Sequence, residues 1–451
     1  MAAESRGAAV PHGQSAGWRA ALGARMHERA LLYWAIPLGI LGLWTVHQAL
    51  YAAEPWTLVL VGSGALAGFL IVHGALCAAG SDADEVLLPL VAGLTCVSLV
   101  MIYRLRPEFL VRQAAWVALG LVTLLAVLGT LGDLRWVRRY AYLCAAAGLV
   151  LLVLTVTVGV ERNGARQWLY FGGFTLEPGE LVKLLLVAFF AAVLVDTRRM
   201  LTLPGPRRWT AELARLGPML VICLGALLLL VFQRDLGLAM LYYGIFLGML
   251  YIATGRLEYI GVGLVAFASG AALCYRLFAH VRVRVDVWLN PWADATGRGY
   301  QILQGLYSLA SGGLLGTGLG AGHPEITPAA YTDMIFPAIG EELGFVGAAC
   351  VIALYLVLIG RMFRTAVRAA SPLDTLVAGG LATALGLQTF IILGGSTRLI
   401  PLTGIPAPFV TYGGSAAVSN FAMVALLLAI SARNTRRPSG GGEAVDGQPG
   451  R

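Results

Sequence analysis

Charge is what this sequence has least of. Asp, Glu, Lys and Arg make up 12% of its 451 residues, about half the share of an ordinary globular protein. Hydrophobic residues reach 58%, and mean hydropathy is +0.77. A soluble fold of this length could not cover its surface with so few charges. Lysine is nearly missing: of the 32 basic residues all but Lys183 are arginine, and Lys183 sits in an apolar run. The six cysteines, Cys77, Cys96, Cys144, Cys223, Cys274 and Cys350, lie in apolar stretches. They read as small hydrophobes, which excludes a disulfide framework or a thiolate metal site. No His/Cys cluster with ligand spacing occurs, nor a phosphate loop, a dinucleotide fingerprint or a nucleophile elbow. The net charge of +8 would suit nucleic acid or anionic lipid. The apolar content decides for lipid and against nucleic acid: this is the composition of an all-α, polytopic helical membrane protein.

What is present is a series of apolar runs. Segments of about 20 residues, the length a bilayer core demands, occupy 30–52, 56–79, 86–104, 112–132, 141–160, 179–196, 213–233, 235–254, 258–280, 336–360, 374–394 and 408–431, twelve spans in all. Residues 1–29 read as a polar cytoplasmic tail without a cleavable signal peptide, and 433–451 as a disordered cytoplasmic tail. With the N-terminus in the cytoplasm, the inner loops and tails hold nineteen arginines and the outer loops ten, so both termini are expected inside. The outer face is nevertheless basic, with Arg162, Arg166, Arg282, Arg284, Arg298 and Arg398. Either an anionic partner such as a pyrophosphate or outer-leaflet headgroups would account for them. The one long extramembrane segment, 281–335, contains an apolar stripe at helical spacing over Gln301–Ala310, then a glycine-dense run, Gly312–Gly320. It predicts an amphipathic, partly re-entrant helix ending in a flexible hinge and roofing a cavity.

Ionisable groups in apolar spans need a reason, since each costs about 2.5–3.5 kcal/mol near the bilayer centre on insertion scales. Glu180 and Lys183 share one helix face, spaced either to neutralise each other or to offer Lys183 to a phosphate. The adjacent Glu341 and Glu342 open the tenth span, as interface anchors or as ligands. Asp294 stands in an outward turn among Trp288, Trp292 and Tyr300. Aromatic faces suit sugars, and a lone carboxylate among them suits general-base work. Asp333 competes with it on similar terms. Asp235 reads as part of a tight charged hairpin. Arg398 sits in an outer loop stiffened by Pro401, Pro406 and Pro408.

Seven motifs in order resemble those of the SEDS family (shape, elongation, division and sporulation). They are Asn163-Gly-Ala-Arg-Gln-Trp168, Glu177-Pro-Gly-Glu-Leu-Val-Lys183, Gln233-Arg-Asp-Leu-Gly237, Asn290-Pro-Trp-Ala-Asp-Ala-Thr-Gly-Arg-Gly-Tyr-Gln301, Thr332-Asp-Met-Ile-Phe336, Gly340-Glu-Glu-Leu-Gly344 and Pro406-Ala-Pro-Phe-Val-Thr-Tyr-Gly-Gly-Ser415. The resemblance divides the chain into two additional helices over 30–85 and a ten-span core over 86–432, a layout similar to actinobacterial RodA-like members. Gln167 stands where a second Arg is often found, and Gly179 where Ser is common.

The resemblance implies a membrane glycosyltransferase of cell wall biogenesis. It would polymerise lipid II into peptidoglycan and release undecaprenyl pyrophosphate, beside a class B penicillin-binding protein in the bacterial plasma membrane. Asp294 would then be the catalytic acid that deprotonates the acceptor hydroxyl. Arg166, Lys183, Trp168, Trp292, Arg398 and Glu341 would bind substrate, the cations facing the departing diphosphate. A divalent cation (Mg or Mn) could share that work, although no site for one is evident in the sequence. A lipid II transporter and a scaffold for the penicillin-binding protein are the alternatives. The transporter would need a polar path through nearly charge-free spans.

Overall fold

In the computed structural model the described residues are 25–54, 56–162, 165–172, 174–202 and 209–436. Most of the expected tails, together with Arg207, Arg208, Asn163 and the Arg162 side chain, lies outside them. Along the chain come α1 (Met26–Leu50), α2 (Thr57–Ala78), α3 (Leu87–Leu105), α4 (Pro107–Thr130), the short α5 (Arg135–Arg139), α6 (Ala141–Val158), α7 (Pro178–Thr202), α8 (Trp209–Gln233), α9 (Leu236–Thr254) and α10 (Leu257–Leu277). They are followed by α11 (Ala279–Leu289), α12 (Tyr300–Gly312), α13 (Ile335–Val367), α14 (Pro372–Ser396) and α15 (Gly414–Arg436). Among the described residues twelve helices are long and apolar enough to cross a membrane, one for each apolar run. Helix is the form such runs take because hydrocarbon offers the backbone no hydrogen-bond partner.

Local chemistry sets the ends. Pro107 occupies the first position of α4, where a missing N–H costs nothing, and Arg106 before it is held extended (φ −153°, ψ 80°). Ser371 caps α14 by accepting the N–H of Asp374 at 3.1 Å, with Pro372 next. Asp235 caps α9 through the N–H of Leu238 at 2.9 Å. The membrane-length windows of α3, α7, α14 and α15 are 83%, 78%, 72% and 72% buried, against 11% for α10. The first four therefore form the bundle centre, and α10 lies at its periphery. One feature of the loops was not expected in an all-α chain. Between α6 and α7 a small antiparallel sheet stands, of β1 (Val160–Arg162), β2 (Ala165–Phe171) and β3 (Phe174–Leu176) in the order β1-β2-β3.

The additional helices α1 and α2 pack on α3 and α4 and are pinned at both ends by buried polar groups. At one end Glu28 bonds Arg25 and lies 2.6 Å from His73 Nδ1, while Arg25 also donates to the carbonyls of Ser81 and Ala83, each at 2.9 Å. At the other, His47 Nδ1 meets the Tyr103 hydroxyl at 2.8 Å.

The long segment between α10 and α13 is largely helical, and α12 is the expected amphipathic helix, burying Ile302, Leu303, Gly305 and Ser308. The expected hinge at Gly312–Gly320 is a correction. Helix α13 is broken at Gly344 (φ 67°, ψ −170°), and the glycine-rich run repairs the break. Thr317 and Gly318 donate to the carbonyls of Glu341 and Glu342 at 2.9 and 3.0 Å. Phe345 and Val346 donate to Gly313 and Leu314 at 2.9 and 3.1 Å. Glycine is needed because these backbones approach so closely: a Cβ on Gly344 would lie 2.2 Å from the Gly316 nitrogen. The run is a hydrogen-bonded brace, since backbone at this depth must be satisfied by protein.

Candidate active site

Helix α11 stops at Asn290, which precedes Pro291 and is held in a non-helical conformation, and Pro291–Asp294 form one 3-10 turn. Asp294 ends that turn with its side chain exposed. Its backbone carbonyl accepts the Gly299 N–H at 2.9 Å, and its carboxylate accepts the Arg298 N–H at 3.1 Å. Glycine is needed at 299, where a Cβ would sit 2.0 Å from the Pro291 carbonyl oxygen. The chain therefore folds around this acid. Asp294 lines a cleft of about 370 Å³ with Arg298, Asn290 and one face of α11 carrying Val283, Asp286 and Val287. The second carboxylate here, Asp286, takes the Tyr275 hydroxyl at 3.1 Å. Sequence reasoning missed Asp286. The available signal was helical spacing, since 283, 286, 287 and 290 fall on one face.

Trp292 and Arg398, both expected to meet substrate, meet each other: the guanidinium lies over the indole at 4.8 Å. Arg398 also donates to the carbonyls of Trp288 and Leu289 at 2.9 and 2.8 Å, and Trp288 Nε1 donates to the Arg398 carbonyl at 3.1 Å. Nearby, Arg284 donates to the Thr403 carbonyl at 3.0 Å.

Lys183 is not placed as a phosphate ligand. It is wholly buried, and its ammonium donates to Glu180 Oε2 at 2.5 Å, Gln388 Oε1 at 2.7 Å and Asn420 Oδ1 at 2.9 Å. All three protons are used, so the lone lysine joins α7, α14 and α15 and has none left for a diphosphate. Glu341 is likewise engaged: it is 6% exposed and accepts the His323 N–H at 2.7 Å. Glu342 pairs with Arg104 at 2.5 Å, and Arg104 reaches on to the Gly322 carbonyl and Glu325 at 2.8 and 3.0 Å. Glu342 ties the brace to α3, and Glu341 ties α13 to the loop at His323. Arg166 stays exposed on β2, 3.4 Å from Glu161, which Arg234 approaches at 3.6 Å. Trp168 is half-buried opposite Val160 in the same sheet.

A second acidic group lies deeper. Burial pushes the Asp235 carboxyl up to about 6, although the Leu238 N–H and the Arg284 guanidinium favour its anion. Burial likewise raises Asp333 to about 6, with Arg284 opposing. Glu177 is raised by burial and by the carboxylates of Glu180 and Asp235. Among the described residues, no three His, Cys, Asp or Glu side chains gather closely enough to hold a metal ion.

Comparison with known proteins places this geometry. The chain is 40% identical to peptidoglycan glycosyltransferase RodA of Mycobacterium tuberculosis, over 92% of each chain. It is 34% identical to stage V sporulation protein E of Bacillus subtilis, over 72% of this chain and 87% of the other. Among solved structures, a chain of a peptidoglycan synthase complex that coordinates polymerization and crosslinking matches with a TM-score of 0.67 at 28% identity. That match covers 79% of this chain and 99% of that one. The rod shape determining protein RodA of Thermus thermophilus matches with a TM-score of 0.58 at 28% identity, over 79% and 98%. The profile of the FtsW/RodA/SpoVE family, described as cell cycle protein, matches residues 85–436, and with relatives this similar the chain belongs to that family.

Proposed function

We propose that this protein is a multi-pass membrane peptidoglycan glycosyltransferase that polymerises lipid II, with the Asp294 carboxylate as its catalytic base. The observation that carries the role of Asp294 is its availability. Among the described residues, its carboxylate accepts one hydrogen bond, from the Arg298 N–H, and pairs with no arginine or lysine side chain, yet it lines a cleft. Asp235, by contrast, is buried, and Asp286 is bonded to Tyr275. In the reaction, the acceptor sugar hydroxyl attacks the anomeric carbon of the donor and its proton passes to Asp294. The new glycosidic C–O bond forms as the bond to the diphosphate breaks. Charge then grows on the leaving undecaprenyl diphosphate, and fixed cations are most effective there. Arg298 at the cleft and the exposed Arg166 are the arginines we assign to that task. Trp168 is assigned to the sugar through its half-buried ring.

In this reading the cleft end of the bundle faces outward and both termini lie in the cytoplasm, an orientation supported by the arginine distribution between loops. A class B penicillin-binding protein is the partner we assign, supported by the likeness to a chain of a synthase complex. The test is the purified protein with its cognate penicillin-binding protein and fluorescent lipid II. Wild type yields glycan ladders, and Asp294→Ala and Asp294→Asn yield none. Ladders of wild-type length from Asp294→Ala would remove this residue from the mechanism.

A further inference from the structure

The carboxylate of Asp294 is carried on a short turn that has little regular structure of its own to hold it. Beside its local bonds to Arg298 and Gly299, a further hold comes from far along the chain. Arg398, 110 residues from Trp288, occupies a left-handed backbone position (φ 60°) just after α14. The edge of its guanidinium takes the carbonyls of Trp288 and Leu289, two of the carbonyls that the end of α11 leaves without helical partners. A cation at that end also opposes the negative pole of the helix. Its face covers Trp292, two residues before Asp294. The carbonyl of Arg398 is in turn gripped by Trp288 Nε1. One side chain thus spans the break at Asn290 and clamps both the end of α11 and the turn that presents the acid.

We infer that Arg398 is a positioning residue, a latch that sets the orientation of Asp294 relative to the cleft by its planar, two-pronged hydrogen bonding and its stacking on Trp292. Arg284 on Thr403 is a second tie between α11 and the same loop. This inference rests on the assignment of Asp294 above. It differs from the role the sequence suggested for Arg398, a phosphate ligand, and the two roles respond differently to lysine. An ammonium keeps the positive charge but cannot reproduce a planar fork.

The experiment is steady-state polymerisation of fluorescent lipid II by the purified complex, comparing wild type with Arg398→Lys, Arg398→Ala, Trp292→Leu and Asp294→Ala. Thermal melting of each variant is measured alongside. A displaced acid lowers kcat, because a shift of about 1 Å in a reacting group costs up to about 100-fold. Arg398→Lys and Arg398→Ala should therefore lose kcat alike, by about 10-fold or more, with KM for lipid II within twofold of wild type. Trp292→Leu should fall in the same direction by less. Should Arg398→Ala fail to fold, Arg398→Lys and Trp292→Leu decide. The latch is overturned if Arg398→Lys keeps kcat and raises KM, the pattern of a phosphate ligand. It is equally overturned if the folded variants turn over like wild type while Asp294→Ala is inactive. An active Asp294→Ala would overturn instead the assignment beneath it.

Discussion

Asp235 shows how a single carboxyl couples burial to pH. It is 1% exposed, and its pKa rises from 3.8 to about 6 on burial. The folded state therefore holds this proton to a higher pH than the unfolded state does. The contribution to stability is fully present below about pH 4 and is lost as pH climbs through about 6, a change of at most about 3 kcal/mol. In detergent micelles the melting temperature of the wild type should accordingly fall between pH 4 and pH 6.5. Asp235→Asn, which keeps an oxygen for the α9 cap, should flatten that fall, and identical slopes in the two proteins would refute the effect. At this scale the sequence was legible for the turn around Asp294, which is built largely from neighbours within ten residues. For Lys183 it left two readings open, and the local pair with Glu180 that the spacing allowed is present. What it could not show are the partners distant in the chain, such as Gln388 and Asn420 for Lys183 and the Trp288 and Leu289 carbonyls for Arg398.

At the scale of elements, the break in α13 is the feature that hydropathy could not show. The run 336–360 reads as one span because, apart from Glu341 and Glu342 near its start, its side chains are apolar on both sides of Gly344, and what departs from helix there is the backbone. Gly344 holds φ and ψ in a region open essentially to glycine. Gly344→Ala should therefore cost about 3 kcal/mol or more, because the new methyl meets the Gly316 and Leu314 backbone. Size-exclusion thermal shift would show a drop of several degrees. Leu343→Ala, beside the break, should cost less, and a Gly344→Ala protein melting like wild type would argue against the brace. The small sheet after α6 was missed for a related reason. Its strands are three to seven residues long, too short for alternation to stand out beside the adjacent apolar runs.

For the molecule as a whole, the family match over 85–436 leaves α1 and α2 outside the shared core. Yet 92% of this chain aligns with the mycobacterial relative, more than that core contains. The helix pair covers α3 and α4 and touches the loop end, where a Cβ on Gly320 would lie 2.8 Å from the Ala49 Cβ. Deleting residues 1–84 should lower the melting temperature by several degrees, through the loss of the His47–Tyr103 contact and of packing on α3. Lipid II polymerisation should persist, because the cleft is built without the pair. A truncated protein that folds but makes no glycan would instead place α1 and α2 in the catalytic machinery. The number and order of the spans, and the turn that bears the acid, follow from the chain's own composition and local motifs, because hydrocarbon admits so few backbone forms. Which charges remain available for chemistry was decided only by tertiary structure. An arginine or lysine is released or consumed by acceptors that folding brings from far along the chain, and within a low-dielectric bundle those contacts outweigh anything its sequence neighbours supply.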